Sequence, residues 1–277
     1  MLLRNCALRL RWVVCVGLAY PGAIAAAPTV KNTPKPPLVD TVAALAKLTS
    51  ADVAQAVKAA NDLAASSEPR VHEALLDALA FGPHPQFVAA ALVALAAHPV
   101  AADVPVVVNF ARNRNGAVRA AALTALGAYK HASATRALLG GLRDQDASVR
   151  AAAAQVLGAQ REKAAIQPLL ALLAKGDEPA ARALAQLADA DFARKLAEQI
   201  GELPDAPLAQ CLGALLLRDD FGPDSARSQV VAAIGKIPSS DAISALTEYI
   251  EKTPKNPPRA SRREAEALVE ARLGGNE

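Results

Sequence analysis

The side chains best suited to metal binding or nucleophilic attack are four histidines, His72, His84, His98 and His131, and one cysteine in the body of the chain, Cys211. Their spacing serves neither chemistry. His84 stands between Pro83 and Pro85, and His98 precedes Pro99, so both read as turn residues. No histidine pair at i, i+4 is backed by carboxylates, as a metal site on a helix requires. A single cysteine cannot close an internal disulfide and reads as a small buried apolar group. The chain has no Gly-x-x-x-x-Gly-Lys-Ser/Thr loop, no dinucleotide fingerprint, no Gly-x-Ser-x-Gly and no Cys-x-x-Cys. The expectation is a protein that is not an enzyme and carries no cofactor and no metal.

Arginine follows a pattern where histidine does not. Ala117 to Ala128 (AVRAAALTALGA) and Ser148 to Ala159 (SVRAAAAQVLGA) agree at eight of twelve positions, at an offset of 31. Arg119, Arg150 and Arg227 each stand eight residues before a glycine (Gly127, Gly158, Gly235). Eleven residues beyond each glycine comes a leucine: Leu138, Leu169 and Leu246. Arg112 and Arg143 repeat at the same offset of 31. A fixed period of this length is the mark of a stacked repeat.

Each unit predicts two helices. The first runs from just before the arginine to just before the glycine, where a left-handed glycine would release the chain. The second carries the leucine inward. Of 277 residues 67 are Ala and only 3% are aromatic, which favours helix over strand. Two short Ala/Leu helices cannot bury their apolar faces alone, so neighbouring units must stack. The fold class expected is all-α, an α-solenoid of stacked antiparallel helix pairs over residues 38–277. Between Leu203 and Pro223 the register breaks: a helix near Ala206 to Leu217 leaves no room for a full second helix. Phe221 falls in the polar loop that follows. Thr253 to Pro258 reads as a stiff connector to a charged final helix, Ser261 to Leu273, that caps the stack.

The N-terminus carries an address. Arg4, Arg9 and Arg11 precede an apolar stretch, Trp12 to Leu18, then Pro21-Gly22 and small residues up to Ala27. This is the pattern of an export signal with cleavage after Ala25 or nearby. Residues 1–27 are expected to be a signal peptide and 28–37 a Pro-rich linker, which makes the protein periplasmic or secreted. No acid precedes Asp40, so without the leader arginines the body is neutral. A neutral body argues against nucleic acid as a partner, and no membrane span is expected after cleavage.

The stretches DQDASVRAAAAQVLGA (Asp144 to Ala159), NRNGAVRAAALTALGA before it and VVAAIGKIPSSDAISAL (Val230 to Leu246) resemble the HEAT-repeat family. They resemble in particular the short bacterial phycobilisome-lyase HEAT-like repeats. The resemblance implies a binding scaffold, with a lyase-like or cofactor-handling protein, or a structural envelope component, as the alternatives. It implies that Asp144, Arg119, Arg150, Arg182 and Arg227 form a structural ladder between units. It also implies that second helices line the inner face, where Arg112, Arg136, Arg143, Gln167 and Arg194 would meet a protein partner, an acidic or extended peptide; Phe221 joins them as a loop candidate.

Overall fold

The structure is a computed structural model that describes residues 40–274, Pro83 excepted. The expected signal peptide and linker lie outside the described residues. Val39–Glu277 forms one compact unit. Among the described residues there are fifteen α-helices and no strand, only an isolated bridge between Ile200 and Leu203.

Helices begin where the sequence supplies caps. Asp52, Asn115, Asp146, Asp177 and Asp189 each accept a backbone N–H of the following first turn through a side-chain oxygen, which satisfies donors a helix start leaves open. Proline occupies the first positions of four helices, where no amide is needed.

Two rows result. Helices α2 (Val53–Leu63), α4 (Pro85–Ala97), α6 (Gly116–Leu126), α8 (Ala147–Ala159), α10 (Glu178–Leu187), α12 (Asp205–Leu216) and α14 (Ser240–Lys252) pack each against the next. Between them in the chain run α1 (Thr41–Lys47), α3 (Pro69–Phe81), α5 (Val104–Phe110), α7 (Ala132–Gly141), α9 (Ile166–Leu173), α11 (Ala190–Ala197), α13 (Asp224–Ile234) and α15 (Ala260–Gly274). These odd-numbered helices form a looser second row, in which clefts open between neighbours. Leu126, Leu157 and Leu184 of the even row and Leu138 and Leu169 of the odd row are wholly buried. Each stabilises the stack by roughly 1.5–3 kcal/mol.

The motif glycines work differently from the sequence expectation. Gly127 and Gly235 cap their helices in right-handed conformation, with φ −59° and −56°, and Gly158 lies inside α8. None turns left-handed. Each instead faces the next helix of its row. A Cβ on Gly127 would meet Val156 of α8 at 3.0 Å, one on Gly158 the Ala183 backbone of α10 at 3.1 Å, and one on Gly235 Leu268 of α15 at 2.9 Å. The repeat keeps glycine there so that helices can approach closely.

The unit around Arg227 also departs from the expected register. The helix that left no room for a partner, α12, takes the next place in the even row, against α10 and α14. Helix α13, with Arg227, is thereby pushed into the odd row against α11 and α15. The motif recurs in the sequence while its helix changes rows, because an even number of intervening helices, α11 and α12, separates α10 from α13, where a single one separates α6 from α8 and α8 from α10.

Candidate functional site

The ladder is built by the first-helix arginines. Arg119 donates through Nε and Nη2 to both carboxylate oxygens of Asp144, at 2.8 Å each, and through Nη1 to the carbonyls of Asn113 (2.9 Å) and Arg114 (3.2 Å). It thus clamps the turn before its own helix and reaches the next unit. Arg150 repeats the clamp on the carbonyls of Asp144 and Gln145 and donates from Nε to Asp177 at 3.1 Å. The rung acid of the third unit is therefore Asp177, five residues before Arg182, whereas Asp144 stands six before Arg150. Arg182 itself is exposed and forms no rung among the described residues. The Arg119 hydrogen bond holds the Asp144 carboxyl below the usual carboxylate range, and Asp144 in turn raises the arginine.

Arg227 keeps the clamp and loses the rung. It is buried and donates to the carbonyls of Gly222 and Arg218. Its guanidinium lies 5.9 Å from the centre of the Phe221 ring. Phe221, the loop candidate for partner binding, is only 4% exposed. Its ring packs into the core beneath Arg227, so it offers a partner nothing. The loop around it is also tied down. Arg218 donates to the carbonyls of Ala185 (2.8 Å) and Ala188 (2.6 Å) at the end of α10, and Asp220 is bound by Arg218 and Arg161. These two arginines, Arg218 first, pull the Asp220 carboxyl down to about 2.

The reactive-looking side chains are likewise committed to the fold. Cys211 is wholly buried in α12, and burial pushes its thiol up to about 12. His72 meets the buried Asp103 at 3.0 Å, and the Tyr129 hydroxyl approaches the same carboxylate at 3.5 Å. This links α3 to the turns before α5 and after α6.

The partner candidates fall in the clefts of the odd row. Arg112 and Arg136 line a cleft of about 430 Å³ between α5 and α7. Arg143 and Gln167 line a wider one of about 1160 Å³ between the α7–α8 turn and α9, with Asp177 and Glu178 also in its lining. Arg194 stands apart, on a small cleft between α11 and α13, 3.5 Å from Asp191. Arg112, Arg136 and Arg143 are exposed and have no hydrogen-bond or ion-pair partner among the described residues. Helices α5, α7 and α9 contain no acidic residue. The sequence reading did not single out Lys175 or Gly140, which line the same clefts; Lys175 was legible, lying 31 residues after Asp144.

Two rows of helices, tied unit to unit by arginine–aspartate rungs, define an α-solenoid, a class that presents surface along a stack. Residues 104–188 match the family model of HEAT repeats. Among solved structures, the complex of CpcE and CpcF of phycocyanin lyase from Nostoc sp. PCC7120 is similar at 21% identity and a TM-score of 0.46, over 90% of this chain and 99% of that one. A mutant of Kap121p is similar at 12% identity and a TM-score of 0.48, over 82% of this chain and 28% of that one. An engineered protein is similar at 21% identity and a TM-score of 0.33, over 85% and 97%. No curated protein matches the sequence. No helix among the described residues is long and apolar enough to cross a membrane.

Proposed function

We propose that this HEAT-repeat scaffold is exported and binds a protein partner through its odd-numbered row, without catalysing a reaction of its own. The observation that carries the reading is the division of labour among the arginines. Arg119, Arg150, Arg218 and Arg227 are consumed by carboxylates and carbonyls of the fold. Arg112, Arg136 and Arg143 have no internal partner among the described residues, and α5, α7 and α9 carry no acid, although Glu178 of α10 lines the Arg143 cleft. An unpaired arginine fork is suited to bidentate capture of a carboxylate, so the partner presents acidic side chains in an extended segment. The N-terminal leader supplies the export, and the partner is met outside the cytoplasm.

Photo-crosslinking from position 167 in native cells tests this. The expected result is a discrete adduct, formed by a chain whose N-terminus has been trimmed. The adduct should vanish in the Arg112→Glu/Arg143→Glu variant while its thermal melt stays unchanged. An adduct that persists in that variant overturns the assignment of the face.

A further inference from the structure

Two of the clefts of the odd row are related by the 31-residue repeat. Arg112, Arg136, Gly140 and Asp144 line the first; the residues 31 positions on, Arg143, Gln167, Ala171 and Lys175, line the second. One of these pairs breaks a rule of helix building. Gly140 lies in α7, where glycine destabilises a helix relative to alanine. No packing demands it, since a Cβ built there meets nothing within 4 Å. Its neighbour Gly141 differs: a Cβ there would strike Leu123 at 2.5 Å and Ala153 at 3.0 Å. The equivalent place in α9 is filled by Ala171, exposed like Gly140, so the repeat itself tolerates a methyl group at this register. No packing contact inside the chain therefore requires Gly140, and the space above this last turn of α7 is open to a molecule that approaches the helix backbone closely.

The chemistry of the cleft says what approaches. Arg112 lies on one wall and Arg136 on the other, both unpaired among the described residues. The acid on the rim, Asp144, is already neutralised by the two bonds from Arg119. We infer that the α5–α7 cleft is a carboxylate subsite: an extended acidic segment of the partner crosses the cleft against Gly140, with its carboxylate held between Arg112 and Arg136. This rests on the partner reading above. The segment continues over the next cleft, where Arg143 and Lys175 supply positive charge opposite the acid Glu178 on the α10 side, and Ala171 replaces the glycine.

Fluorescence anisotropy of a labelled peptide of alternating Glu and Ser, titrated with the full chain, tests the subsite. Gly140→Ala should raise the melting temperature, as a helix glycine with open space above it predicts. Gly140→Leu should leave the fold intact and weaken the peptide by about tenfold or more, the loss of roughly one charge-assisted contact. Unchanged affinity in a well-folded Gly140→Leu, alongside lost affinity in Arg112→Glu/Arg143→Glu, overturns the subsite and leaves the partner reading standing. Failure of the unmodified chain to bind the peptide at all overturns both. A single-stranded oligonucleotide that binds as tightly as the peptide, and is weakened equally by Gly140→Leu, overturns the choice of carboxylate.

Discussion

Asp144 accepts both nitrogens of the Arg119 fork and the Asp146 amide, with only 16% of its side chain exposed. Its carboxyl titrates lower in the folded chain than in the unfolded one, the Arg119 hydrogen bond being the main cause. A group lowered in this way stabilises the fold fully above its unfolded value, and that contribution is lost as pH falls through the folded value. Asp144→Asn should therefore lower the melting temperature at neutral pH. The gap to the unmodified chain should close as melts are taken down through the ordinary aspartate range, near pH 4 and below. A gap of constant size across that range would show that the rung contributes shape and no charge. Cys211 needs no chemistry to explain it: at a folded value of about 12 its buried thiol stays protonated at neutral pH.

At the scale of the helix, the interfaces of the even row carry the fold. Leu126 and Leu157 are wholly buried among neighbouring helices. Leu126→Asp or Leu157→Asp should each cost more than about 4 kcal/mol, since a buried charge without a partner replaces apolar contact. A cooperative melt close to that of the unmodified chain in both variants would contradict this packing. The same helices mark what could be read from the sequence. The 31-residue period located α6 to α9 and the positions of Arg119 and Arg150, because equivalent interfaces impose equivalent residues, but it did not point to Asp177 as the partner of Arg150. It could not tell that α13 changes rows, because the arginine clamp on its own turn and the glycine packed on the next helix serve either row equally. Nor could it show Phe221 buried: a phenylalanine in Arg-Asp-Asp-Phe-Gly looks exposed until Arg218 and Arg227 fold the loop back on α10 and α13. The clefts were half legible. Arg112 and Arg143 stood out by period, whereas Gly140 gains meaning only once the space above it is seen to be empty.

At the scale of the whole molecule, a chain with a nearly balanced charge leaves several exposed arginines unpaired among the described residues, in more than one place. Arg112, Arg136 and Arg143 gather on α5–α9, while Arg182 and Arg263, also exposed and unpaired among the described residues, lie elsewhere on the stack. Position, and not the number of positive charges, is what the account holds to matter. The most direct measurement is the affinity of the alternating Glu and Ser peptide for three forms of the full chain: unmodified, Arg112→Glu/Arg143→Glu and Arg182→Glu/Arg263→Glu. Both variants carry the same net charge. A loss of about tenfold or more is expected in the first pair and a change within about twofold in the second, with binding to the unmodified chain weakening as salt is raised. Equal losses in the two variants would contradict it.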